Sequence, residues 1–227
     1  MNPVVQLSSA VAVLGQFPVL AGVDLTVDAG EIVLLQGPNG AGKTSLLRLC
    51  AGLLPLARGE GIVLGVDLRS NRESVRSRVG LLGHSNGLYA DLTVAENVRF
   101  WGATVGATPE EIAAAMNRMG LAQRLAKVPV GRLSAGQKRR TALACLVARR
   151  AELWLLDEPH AGLDAGARDE LDSTLRIAAR SGATIMVASH ELDRAGSLAT
   201  RVVEVVGGLV RDLEPRNAVE PVTEEAG

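Results

Sequence analysis

Apolar and polar positions change period several times along the chain, and each change marks an element. Residues 4 to 14 and 19 to 27 alternate between the two classes around Gly15-Gln16-Phe17-Pro18, which predicts two antiparallel strands joined by a turn. Asp28-Ala29-Gly30 turns into an unbroken apolar run, Ile32-Val33-Leu34-Leu35, and a helical stretch from Ser45 onward ends at Gly52. Pro55 and Gly59 follow as breakers, and further strands are expected over Gly61 to Leu68 and Ser77 to His84. Two later runs, Leu153-Trp154-Leu155-Leu156 and Ile185-Met186-Val187-Ala188, are apolar without alternation, as strands of a parallel sheet buried on both faces would be. Between them Asp164 is placed to cap a helix reaching about Ala179, which gives a strand, helix, strand crossover.

Three helix starts carry capping boxes. Thr93 and Glu96, Thr108 and Glu111, and Ser134 and Gln137 each pair a hydroxyl with a long polar side chain three residues later. Pro109 occupies the first position of its helix, and Gly120 supplies a stop. Residues 93 to 150 therefore read as mostly helical, a subdomain of about 85–150 inserted in a single domain of 1–214. From Glu214 onward proline and acids replace apolar residues, so 215–227 is expected to be a mobile tail. The fold class expected is α/β, with a mainly parallel sheet, a small N-terminal antiparallel β subdomain and the inserted helical subdomain.

Composition narrows the function. A formal net charge of -1 and an aromatic content of 2% give neither a basic field nor stacking rings, so no nucleic-acid partner is expected. Cys50 and Cys145 sit in apolar helical stretches and read as small core residues rather than a disulfide or metal pair. No apolar run reaches the roughly twenty residues of a membrane span, and the first residues lack a signal-peptide layout. The chain is expected to be cytosolic and soluble by itself.

The candidate chemistry begins at Gly37-Pro38-Asn39-Gly40-Ala41-Gly42-Lys43-Thr44, between the run at 32–35 and the helix that contains Ser45. Strand, glycine loop and helix is the context of a P-loop, in which backbone N–H groups and the helix dipole face a phosphate. Lys43 would reach the β- and γ-phosphates, and the Thr44 hydroxyl would hold Mg²⁺. Asp157 and Glu158 follow a buried strand and are ended by Pro159; a turn with two solvated acids is the plain reading. Beside a P-loop, Asp157 suits a Mg²⁺ contact and Glu158 can take a proton from an attacking water. His190 alone reads as a strand cap, and on the same sheet edge as these groups it reads as a γ-phosphate contact. His160 has no such support and reads as a loop residue. Ser134, Gly136 and Gln137 form an ordinary cap, but a glycine at the second helical position is unfavourable unless something approaches closely, which hints at a ligand.

The order GPNGAGKT, LSAGQ, LWLLDEP, AGLD and His190 resembles the ATP-binding subunits of ABC transporters over residues 4 to about 210. The resemblance implies a P-loop NTPase core, ATP and Mg²⁺ as cofactors, and a head-to-tail homodimer sandwiching two ATP molecules. The P-loop of one chain would face Leu133-Ser134-Ala135-Gly136-Gln137 of the other. Glu158 would be the catalytic base, Asp157 would serve Mg²⁺, Asp164 in Ala161-Gly162-Leu163-Asp164 would couple the two sites, and His190 would be the switch histidine. The chain would dock on a separate membrane-spanning subunit, peripheral on the cytoplasmic face of the membrane, through a groove near His84 to Tyr89.

Two positions depart from that pattern. His84 stands where these ATPases carry a glutamine, and its neutral imidazole could take a water or Mg²⁺ contact. Leu14 stands where an aromatic stacks on adenine, with Phe17 as a substitute. Gly83-His84, Leu92-Thr93, Glu96-Asn97 and Leu153-Trp154 further resemble the heme exporter ATPases of cytochrome c maturation, the CcmA type. The alternatives are an ATPase of a lipid, polysaccharide or drug exporter, a soluble ABC ATPase of translation or DNA repair, and a nucleotide kinase.

Overall fold

The computed structural model describes residues 3–83 and 86–213. His84 and the expected tail, 215–227, lie outside them.

Two sheets and a helical layer make up the chain. The first sheet holds β1 (Val5–Leu14), β2 (Phe17–Val27), β4 (Arg58–Val63) and β5 (Val66–Asp67) in the antiparallel order β2-β1-β4-β5. The second has β3 (Ile32–Gln36), β6 (Val79–Leu82), β7 (Leu153–Asp157), β8 (Thr184–Ala188), β9 (Arg201–Val206) and β10 (Leu209–Leu213), ordered β10-β9-β3-β8-β7-β6. All its pairings are parallel except β10 with β9. Helix α1 (Lys43–Cys50) follows β3, and a short α2 (Leu68–Asn71) follows β5. The helical layer holds α3 (Val94–Ala103), α4 (Pro109–Arg118) and α5 (Ala135–Ala148), while α6 (Ala165–Arg180) and α7 (Leu192–Leu198) flank β8 in sequence.

The period-two geometry of strands explains why the central runs are apolar throughout. Val33, Leu35, Leu153, Leu155, Met186 and Ala188 point into a core shared with α1 and the antiparallel sheet. Their neighbours Ile32, Trp154, Leu156, Ile185 and Val187 point into a second core with α3, α5 and α6. Burial pushes the thiols of Cys50 and Cys145 up to about 12, one in each core. Each expected capping box is present.

Several boundaries move. The first turn is tighter than expected: Leu14 pairs with Phe17, so Phe17 and Pro18 belong to β2. The strand expected over Gly61 to Leu68 is a hairpin, because Leu64 (φ 51) and Gly65 (φ 77) both turn left-handed, and the Asp67 side chain caps α2. Gly59 lies inside β4 rather than breaking the chain. There it faces the bulge in β1, where a Cβ would lie 2.2 Å from the Ser9 carbonyl oxygen. The strand expected over Ser77 to His84 reduces to Val79–Leu82 after a 3-10 turn at Ser74–Ser77.

Candidate functional site

Because β8 lies between β3 and β7, the loops leaving the carboxyl ends of all three strands converge. Glycine is required in the first loop by packing. A Cβ on Gly37 (φ 141) would lie 2.1 Å from the Val205 carbonyl oxygen, and one on Gly42 (φ 112) would lie 2.8 Å from that of Val19. The loop is thus curled by β9 and β2 beneath it. Lys43 is buried, and its Nζ donates to the carbonyls of Gly37 (2.6 Å) and Pro38 (3.0 Å), which turns the ammonium back over the loop. Thr44 Oγ1 donates to Asp157 Oδ2 at 2.7 Å, joining α1 to the end of β7.

Glu158 leaves β7 at φ 49, a left-handed conformation that costs a residue with a side chain on the order of 1–3 kcal/mol. Its N–H donates to the Ala188 carbonyl (2.8 Å), and its Oε2 lies 2.8 Å from His190 Nδ1. The His190 side chain is 70% exposed, so its pairing is solvent-screened. The hydrogen bond to Glu158, and then the carboxylate charge, hold the imidazole above its ordinary pKa.

A cleft of about 1240 Å³ is lined by Asn39, Lys43, Thr44, Asp157 and Glu158 together with Ala135 and Gly162. Ser134 Oγ accepts from the Gln137 N–H (3.2 Å), and Gln137 Oε1 accepts from the Ser134 N–H (3.0 Å). Leu133 is buried beneath them. A Cβ on Gly136 would lie 3.4 Å from the Gly162 carbonyl oxygen, so the turn before α6 gives that glycine an intrachain reason besides a ligand. Asp164 Oδ1 accepts from the Ala167 N–H (2.8 Å) and caps α6. Leu14 and Phe17 are exposed at the tip of the β1–β2 hairpin, just before Val19, which lines the cleft.

The ABC transporter family model matches residues 20–161, more than half of the chain. The chain belongs to the ABC transporter family. Within it the cassette is an ATPase of the CcmA type. It is 40% identical over 176 residues to the cytochrome c biogenesis ATP-binding export protein CcmA of Cupriavidus necator, covering 77% of each chain. It is 42% identical to the CcmA proteins of Paramagnetospirillum magneticum and Rhodopseudomonas palustris, covering 76% and 78% of this chain and 81% and 87% of theirs. Among solved structures, an ATP-binding subunit of an ABC transporter superposes with a TM-score of 0.84 at 26% identity, covering 92% of this chain and 90% of that one. CbiO1 of Clostridium perfringens superposes with a TM-score of 0.80 at 25% identity, covering 93% and 88%. A dimeric cassette bound to ADP and phosphate shares the fold, with a TM-score of 0.83 at 23% identity, covering 94% and 100%. ABC cassettes bind ATP or ADP, pair with membrane subunits and form dimers. No helix among the described residues is long and apolar enough to cross a membrane.

The ABC ATPase also has supporting residues that motif reading missed. His160, read as a loop residue, is 1% exposed; its Nε2 lies 2.8 Å from Asp172 Oδ1 on α6, and Asp172 Oδ2 accepts from Arg194 Nε on α7 at 2.8 Å. Asn97 is fully buried and binds the loop before α3 through the N–H and carbonyl of Tyr89 and the carbonyl of Thr93. Arg139, from the Lys-Arg-Arg run, is 5% exposed. One signal for it was available: Ala142, Leu143 and Leu146 are buried at helical spacing from position 139, so the apolar stripe of α5 continues back onto the arginine.

Proposed function

We propose that this chain is the motor of a heme exporter-type complex in cytochrome c biogenesis, hydrolysing MgATP at a site completed by a second copy of itself. The observation that carries the reading is the convergence of Lys43, Thr44, Asp157, Glu158 and His190 at one sheet edge, in a chain that is 40% identical to a CcmA protein over 176 aligned residues. Thr44 and Asp157 offer hard oxygen donors 2.7 Å apart, and the described residues hold no cluster of three or more His, Cys, Asp or Glu. That suits Mg²⁺, which is bound by few protein ligands together with substrate phosphates. The ion would neutralise charge on the β- and γ-phosphate oxygens.

Lys43 would exchange its two carbonyl partners for phosphate oxygens. Glu158 would accept a proton from water as the water oxygen bonds to the γ-phosphorus, and the bond from that phosphorus to the β,γ-bridging oxygen would break, releasing ADP and phosphate. His190 would steady the γ-phosphate and the Glu158 carboxylate. The Ser134-to-Gln137 cap would meet the partner chain's nucleotide, where α5 presents N–H groups and a positive dipole end. Tyr89 and Phe100, exposed with ring centroids 5.0 Å apart, support docking of a membrane-spanning subunit beside the helical layer, which would hold the ATPase on the cytoplasmic face.

Replacing Glu158 by Gln tests both levels. The purified chain should keep its ATP affinity while turnover falls by about 10²–10⁴. Cells carrying the variant at normal abundance should lose covalently bound heme from c-type cytochromes. Unchanged cytochromes with an inactive motor would reassign the cargo, and normal turnover would remove Glu158 as the base.

A further inference from the structure

Arg139 sits five residues after the Ser134 cap, on the same first turns of α5, and uses every N–H it has. Nε donates to the Pro159 carbonyl (3.1 Å), Nη1 to the Gly83 carbonyl (2.9 Å) and Asn86 Oδ1 (3.2 Å), and Nη2 to the carbonyls of Asp157 (2.8 Å) and Glu158 (2.5 Å). A guanidinium has five N–H donors in a rigid fork, so the set is saturated. Three of its acceptors are the consecutive carbonyls of 157, 158 and 159, gathered on one cation by the left-handed turn at Glu158. The other two, on Gly83 and Asn86, lie between β6 and the helical layer. Burial pushes the guanidinium pKa down, and the carboxylates of Asp157 and Glu158 offset this, which keeps a buried cation beside the reacting acid.

We infer that Arg139 is a positioning residue for ATP hydrolysis: it holds the Glu158 backbone in its left-handed turn and makes the aim of that carboxylate follow α5. The inference rests on the reading of Glu158 as the base. α5 carries the Ser134-to-Gln137 cap at its N-terminus and Arg139 one turn further on. A tilt of this helix that brings the cap onto a nucleotide therefore carries the three carbonyls with it. Turnover is in this way tied to engagement of the cap, by a residue whose five N–H groups are all committed to acceptors within the chain. Lysine cannot substitute, because three tetrahedral donors cannot serve five acceptors spread in one plane.

The test compares Arg139→Lys, Arg139→Met and Arg139→Ala in the full chain, with Glu158→Gln as control. Each variant is measured for MgATP affinity, kcat, KM and cooperative thermal unfolding. Misaiming a reacting group by a fraction of an ångström to one ångström lowers rate by about tenfold to a hundredfold, so kcat should fall by that amount while affinity and KM stay within about threefold. Guanidinium ion at low, non-denaturing concentration should raise kcat of the Ala variant, and ethylammonium should not. A Lys variant with kcat within about twofold of wild type would overturn the inference. Loss of affinity and of cooperative unfolding together in all three variants would also overturn it, by making Arg139 a folding residue. If Glu158→Gln itself turned over normally, the base assignment would fall and take this inference with it. An inactive Glu158→Gln beside a normal Lys variant would sink the positioning role alone.

Discussion

Replacing His160 by Ala should destabilise the chain by about 1.5–4 kcal/mol, and the site geometry sets that figure. His160 Nε2 faces Asp172 Oδ1 at 2.8 Å with side chains 2% and 7% exposed, so solvent does not replace the bond when it is lost. A hydrogen bond to a charged group contributes about 1.5–3 kcal/mol, and an unrelaxed cavity of imidazole size adds about 1–2 kcal/mol. Relief acts the other way. Among the described residues His160 Nδ1, which is buried, has no partner, and deleting it removes a penalty of about 1 kcal/mol. Asp172 keeps its bond from Arg194, so its charge is not stranded. Urea unfolding followed by circular dichroism should show the midpoint falling by about 1 M at an unchanged slope. His160→Phe fills the space without restoring the bond, and should recover only the cavity part. A Phe variant as stable as wild type would refute the reasoning, since volume and not the Asp172 contact would then account for the histidine.

The remaining predictions concern the nucleotide edge. Ser134→Arg should abolish ATP-dependent dimerisation in sedimentation experiments while leaving ATP binding by the single chain intact; survival of the dimer would misplace the contact across chains. Since the same change removes a helix cap worth about 1 kcal/mol, Ser134→Asp, which keeps the cap and repels phosphate, should give the same outcome. The His190 imidazole should titrate above about 6.5 in a proton NMR experiment, and Glu158→Gln should move it back toward that value. The sign follows from the raised value: stabilisation by the charged pair is complete below the unfolded-state pKa and fades as pH rises through the folded one. No return in the Gln variant would mean that Glu158 is not the cause.

The elements that follow from local rules were legible. Three hydroxyl caps announced α3, α4 and α5, and the unbroken runs at 32–35, 153–156 and 185–188 announced parallel strands, because burial on both faces removes alternation. One error falls where an apolar stretch hides a backbone reversal. In Gly61 to Leu68 the side chains read as a continuous strand, yet Leu64 adopts φ 51 and the chain doubles back. A leucine in that conformation has no signature in composition, since left-handed turns are normally marked by Gly, Asn or Asp.

The site divides along the same line. Thr44, Asp157, Glu158 and His190 sit at strand ends or helix starts, positions that pattern reading locates, and their chemistry matches their place. His160 does not announce itself, and Arg139 does so only through the apolar stripe of α5, because their partners are fixed by tertiary structure: Gly83 is 56 residues from Arg139, and Asp172 is 12 from His160. Yet burial explains why they must be paired. The turn with φ 49 at Glu158 brings the carbonyls of 157, 158 and 159 onto one guanidinium, that of Glu158 also accepting from the Ala161 N–H (3.2 Å), and buried carbonyls left unpaired are strongly unfavourable. Among side chains arginine alone brings five N–H donors to such a set in one rigid plane. The strained turn at Glu158 and the buried cation are therefore joined by three hydrogen bonds from the neighbouring helix, so a displacement of one is felt by the other.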